Sequence, residues 1–170
     1  LVARHGSHRF APGMAPVETM GYSADYLGPL VRVHRGEPYR VTATNRLDVP
    51  TTVHWHGLLV PSHLDGGPHH FIAPGSSWEA EMVVDQPEAT VIYHAHPHGD
   101  TARQVYRGLA GMMIVEDGTG AALGLPHRYG IDDLPVVLQD RYFNVAGGMT
   151  YLDNGPARAI GMRGNTLVVN

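Results

Sequence analysis

Two short runs of this chain set histidine at every second position: Val53-His54-Trp55-His56-Gly57 and Tyr93-His94-Ala95-His96-Pro97-His98-Gly99. Each lies in an apolar stretch closed by Gly or Pro, which reads as a β-strand. Side chains alternate across a strand, so His54 and His56 share one face while Trp55 takes the other. His94 and His96 repeat the arrangement around Ala95. Same-face neighbours lie roughly 7 Å apart at the backbone, and an imidazole nitrogen binds a metal at about 2.0 Å. Four imidazoles can therefore converge on one ion, or on a close pair of ions, if the two strands lie side by side. Packed together without a metal, they would leave buried donors unpaired or bring like charges together, and both are costly.

The rest of the chain supplies further strands. Leu30 to His34 alternates and ends at Arg35-Gly36-Glu37-Pro38, and Tyr39 to Asn45 alternates again. Ser77 to Val84 is the next expected strand, and Thr90 to His96 carries the second triplet. Asp100-Thr101 offers a helix N-cap, with a turn or two over Ala102 to Arg107 stopped at Gly108. Met112 to Val115 and Leu134 to Leu138 are continuous apolar runs suited to buried strands, and Thr166 to Asn170 opens a further one. Short strands at this spacing predict an all-β, antiparallel Greek-key sandwich or barrel. Residues 1–20 show no periodicity and are expected to form an irregular arm.

Composition removes several kinds of chemistry. Cys is absent, which excludes disulfides, thiolate metal sites, a Cys nucleophile and a blue-copper centre within these 170 residues. A net charge of -4 gives no footprint for nucleic acid, and no apolar run approaches the roughly 20 residues of a membrane span. Twelve histidines remain the outstanding feature.

Gly-Tyr, Leu-Gly-Pro, Asn-Arg-Leu, His-Trp-His-Gly, Asp-Gly-Gly-Pro, Ala-Pro-Gly, His-Ala-His-Pro-His-Gly and Arg-Gln-Val followed by Gly-Leu-Ala-Gly occur in this order between Gly21 and Asn170. In that order and spacing they resemble the N-terminal cupredoxin domain of bacterial multicopper oxidases of the laccase-like, copper-efflux type. The resemblance implies a cupredoxin-like Greek-key fold over residues 21–160, with 161–170 opening a linker or second domain. In that family, cupredoxin domains share a trinuclear copper cluster, one type 2 ion and a type 3 pair, at which dioxygen is reduced to water. Carried over, the resemblance gives His54 to the type 2 ion, His56 to a type 3 ion, and His94 and His96 to the type 3 pair, His94 partnering His56. Asp65, in Asp-Gly-Gly-Pro, resembles the acidic residue that helps deliver protons there; an Asp that merely shapes its own turn is the competing reading.

The family's remaining ligand motifs, His-Pro-X-His-X-His and His-Cys-His, are not in this sequence. The expectation is therefore half of a trinuclear site, acting only with further cupredoxin domains of a larger oxidase and with electrons from phenolic or cuprous substrates. A periplasmic or secreted setting is implied by the resemblance alone. Two alternatives stand beside this reading: a non-catalytic copper storage module, and a homo-oligomer in which two copies face their histidines together. His98 is expected beside the ligands without being one, and His69 and His70 in a solvated loop. Trp55 and Tyr93 are expected to anchor the core, as are Met112 and Met113.

Overall fold

The computed structural model describes residues 1–152 and 159–170. Its strands are β1 (Val2–His8), β2 (Val17–Tyr22), β3 (Val31–His34), β4 (Pro38–Asn45), β5 (His54–His56), β6 (Ser77–Val83), β7 (Ala89–His94), β8 (Ala110–Glu116), β9 (Leu138–Arg141) and β10 (Thr166–Val169). Two short helices, α1 (Thr101–Arg107) and α2 (Thr119–Ala122), flank β8. Two four-stranded sheets form, ordered β2-β1-β4-β6 and β3-β8-β7-β5, and β9 pairs with β10 apart from them.

This is the expected all-β, cupredoxin-like sandwich, with one difference in its ladders. β1 runs parallel to β4 and β3 parallel to β8, so the sheets are mixed rather than wholly antiparallel. Crossovers from one sheet to the other create these parallel pairs, and alternation within a strand carries no information about them.

The arm expected to be irregular also differs. Val2–His8 forms a hairpin with Val17–Tyr22 and joins β4 through Val2 and Ala3. Its sequence, Val-Ala-Arg-His-Gly-Ser-His, buries only Ala3, so no apolar period marks it as a strand. The expected boundary at residue 21 falls inside β2, and residues 153–158 of the expected domain lie outside the described residues.

Leu134 to Leu138 is not a buried strand. Leu134, Val136 and Leu138 are exposed, and the strand begins at Leu138. Among the described residues β9 pairs with β10 alone, and the run alternates, Pro135 and Val137 half-buried beside Gly111 and Met112 while its other side faces out.

The core lies between the two main sheets. Trp55 and Tyr93 stand opposite each other on β5 and β7, both buried, with ring centroids 6.0 Å apart; Tyr22 packs on Tyr93 at 5.6 Å. Burying such an aromatic removes roughly 150–250 Å² from water, about 4–6 kcal/mol each before entropy. Tyr93 needs Gly111 opposite it on β8, because a Cβ there would collide with the Tyr93 ring. Met113 and Val115 bury the same side of β8, as expected of a core run, while Met112 is only half-buried.

Candidate metal centre

With Trp55 and Tyr93 turned into the core, the strand alternation turns their neighbours outward. His54 pairs directly opposite His94 and His56 opposite Ile92. Ligand atoms of His54, His56 and His94 all lie within 4.8 Å of one another. His96, beyond the end of β7, completes the group: its ring stacks on His94 at 5.6 Å and meets His54 edge-on at 5.2 Å. The four expected histidines therefore form one cluster, three tightly and the fourth at its flank. His94 is buried, His54 and His96 are half-buried, and His56 is exposed.

Hydrogen bonds assign the ring nitrogens. His54 Nδ1 donates to the Asp65 carbonyl at 2.9 Å and His94 Nδ1 to the Ala95 carbonyl at 2.8 Å, because a carbonyl only accepts. The Thr101 hydroxyl spends its hydrogen on the Pro97 carbonyl at 2.9 Å, so it accepts from His96 Nδ1 at 3.3 Å. His54, His94 and His96 are thus left with bare Nε2 atoms. His56 differs: its Nδ1 faces His94 Nε2 at 3.1 Å. Two nitrogens each about 2.0 Å from one metal, at a tetrahedral angle, are separated by roughly 3.3 Å. Outer hydrogen bonds of this kind fix which nitrogen a histidine offers.

Burial is the main force lowering the pKa of His94, and the nearby imidazoles add to it against the opposing bond to Ala95. A neutral imidazole is the form that binds metal. The donor set, all nitrogen and without thiolate, suits copper, zinc or nickel, with copper(II) favoured in the Irving–Williams order.

Loops hold the strand ends in place. The Trp55 amide donates to the Asp65 carbonyl and its indole to the Leu64 carbonyl at 3.1 Å, which draws the Ser62–Leu64 turn and Asp65 beneath β5. Gly66 follows with φ of +62°, where a Cβ would collide with the Val53 carbonyl. Asp65 Oδ1 lies 3.2 Å from His54 Nδ1 and is buried without a hydrogen-bond partner among the described residues. The His96 amide donates to Thr52 Oγ1, and buried Gln104 accepts from Thr51 and donates to Pro50 and Asp100. The Asp100 side chain, expected as a helix cap, binds Arg103 and Gln104 instead.

Sequence reasoning missed the surroundings of this cluster. A cavity of about 710 Å³ opens beside His56 and His94, lined also by Thr101, Tyr106, Arg141 and Tyr151. Buried Arg141 sets its guanidinium 5.7 Å from the Tyr26 ring and 4.7 Å from the Tyr106 ring, and its Nε has no partner among the described residues. Thr101 stands in the expected Asp100-Thr101 helix cap, but its contact with His96 depends on how the turn at Pro97 folds.

The family model of multicopper oxidases matches residues 5–120. "Multicopper oxidase mco" of Staphylococcus aureus is 37% identical over 170 residues, all of this chain and 37% of its own length. "Cell division protein FtsP" of Xenorhabdus nematophila is 42% identical over 158 residues, 93% of this chain and 33% of its own. Among solved structures, a laccase-like multicopper oxidase, CueO, from Ochrobactrum sp., which has oxidase activity towards lignin model compounds and lignosulfonate, superposes with a TM-score of 0.93 at 45% identity. That match covers 99% of this chain and 38% of the other. The chain spans about a third of the length of the curated relatives it matches. It belongs to the multicopper oxidase family.

Proposed function

We propose that this chain supplies half of a trinuclear copper site in a longer oxidase, the other half coming from a further cupredoxin domain. The observation that carries the reading is the convergence of His54, His56 and His94 at one end of the β5–β7 pair, with His96 beside them. His56 Nδ1 and His94 Nε2 would share one type 3 ion, His54 Nε2 would hold the type 2 ion, and His96 Nε2 the second type 3 ion. Copper bound there supplies the four-electron reduction of dioxygen to water. Residues of this chain orient the ligands: Asp65, Ala95 and Thr101 fix three imidazoles by accepting from Nδ1. The Asp65 carboxylate, with an unsatisfied oxygen beside His54, would hold and pass protons.

The residue division into 21–160 and 161–170 belongs to the same proposal, with β1 and β2 extending the first unit to residue 2. So does a periplasmic or secreted setting; among the described residues no helix is long and apolar enough to cross a membrane. Ile92, on the histidine face and 47% exposed, supports contact with another domain there.

Native mass spectrometry of the copper-loaded protein, with oxygen uptake measured on phenolic and cuprous donors, tests the reading. Oxygen uptake is expected only when these 170 residues are joined to the rest of the longer protein. Tight copper binding with no oxygen uptake in the joined protein would instead support the storage alternative, and sustained uptake by this chain as a dimer would support the facing-copies alternative.

A further inference from the structure

His69 and His98 lie outside the four-histidine cluster, in two segments that leave it. His69 follows Pro68 in the loop that departs from Asp65, and His98 follows Pro97 in the turn that departs from His96. The His98 amide donates to the Pro68 carbonyl at 3.1 Å, which ties the two segments together. The tie sets the imidazoles beside each other, with centroids 5.8 Å apart and planes 29° from parallel. Both residues are exposed, His69 as expected of a solvated loop, and no periodicity in the chain marks their meeting.

We propose that His69 and His98 form a second metal site, taking one first-row divalent ion with copper(II) bound tightest and water completing the coordination. Two imidazoles bound to one ion at about 2 Å have ring centroids roughly 4.5–6.3 Å apart, from a right-angled to a linear arrangement. The observed 5.8 Å lies in that range, close to the 5.4 Å between His56 and His94. Two neutral nitrogen donors without carboxylate or thiolate select borderline ions over calcium or magnesium. The pairing needs no large rearrangement, because the Pro68–His98 hydrogen bond already holds the backbones. An ion here would join the loop carrying Asp65 to the turn carrying His96, so its binding stiffens the rim of the four-histidine face. The site uses none of the four ligands and stands or falls separately from the trinuclear reading.

The test compares copper(II) and zinc(II) binding, by calorimetry and native mass spectrometry, in the unmodified protein and in His69→Ala, His98→Ala, the double variant and His70→Ala. The unmodified protein is expected to bind one more ion than the double variant. Each single variant at His69 or His98 should weaken that ion by about tenfold or more, and His70→Ala should leave it unchanged. Electron paramagnetic resonance of the additional copper(II) should show coupling to two imidazole nitrogens. Circular dichroism of the variants checks that the fold is intact. Equal ion number and affinity in the double variant, or loss of the ion in His70→Ala, overturns the proposal.

Discussion

His56 Nδ1 lies 3.1 Å from His94 Nε2, so two histidines on neighbouring strands present opposite ring nitrogens to a common point. The other three histidines each turn Nδ1 to an oxygen acceptor, and His56 alone among the four uses Nδ1 inward. This asymmetry follows from register. His56 pairs with Ile92, one same-face step along the strand from His94, so its ring reaches His94 sideways. Removing either partner should therefore remove a shared ion. His56→Ala and His94→Ala are each expected to lower the copper content of the longer protein, and the double variant to lower it no further than the worse single variant. Atomic absorption on the purified variants checks this, and additive losses would contradict a shared ion.

Asp65 acts on His54 through two groups, its carbonyl and its carboxylate. Asp65→Asn keeps the carbonyl and removes only the charge. Copper content is expected to stay within error of the unmodified protein while oxygen uptake falls by about 100-fold, in the usual range for loss of a positioned proton-transfer group. A parallel loss of copper would instead assign the carboxylate to holding His54.

Thr101 accepts from His96 Nδ1 with its hydrogen already engaged by Pro97. Thr101→Val removes that acceptor at nearly constant volume. The affinity for the copper bound through His96 should fall about 10–100-fold, and Thr101→Ser should restore it. Copper titration in a competing chelator measures both.

Gly66 places the Asp65 loop under His54 at a φ of +62° against the Val53 carbonyl. Gly66→Ala meets both a left-handed backbone and a collision, so stability should fall by about 2–4 kcal/mol, or roughly 5–15 °C in Tm. Thermal unfolding followed by circular dichroism checks this, and a loss under about 1 kcal/mol would show that the loop can move away.

Burial holds the pKa of Tyr22 and Tyr93 well above the ordinary phenol, and pushes Tyr26 up to about 12. A group whose pKa is raised by folding contributes stability that is complete below its unfolded value and is lost as pH rises through the folded one. Stability should therefore decline from about pH 10 upward. Absorbance at 295 nm should show Tyr22 and Tyr93 ionising only with global unfolding, whereas early ionisation of all eight tyrosines would contradict their burial.

The two histidine strands were legible because period-two alternation ties a residue's face to its position, and Trp55 and Tyr93 left only one face for the imidazoles. The arm at Val2–His8 was illegible because an edge hairpin needs backbone partners more than an apolar face. Leu134 to Leu138 misled in the other direction: an apolar run reports a preference for burial, and whether a covering surface exists is decided elsewhere in the fold. The same limit hid the His69–His98 contact and the Thr101–His96 bond, which depend on turns at Pro68 and Pro97 rather than on any period.

Anomalous diffraction at the copper edge, on copper-loaded crystals of the longer protein, tests the central claim most directly. The expected result is three peaks at the His54–His56–His94–His96 face, with His56 bound through Nδ1 and the other three through Nε2. Copper absent from that face, or a single ion held by all four histidines, would contradict it.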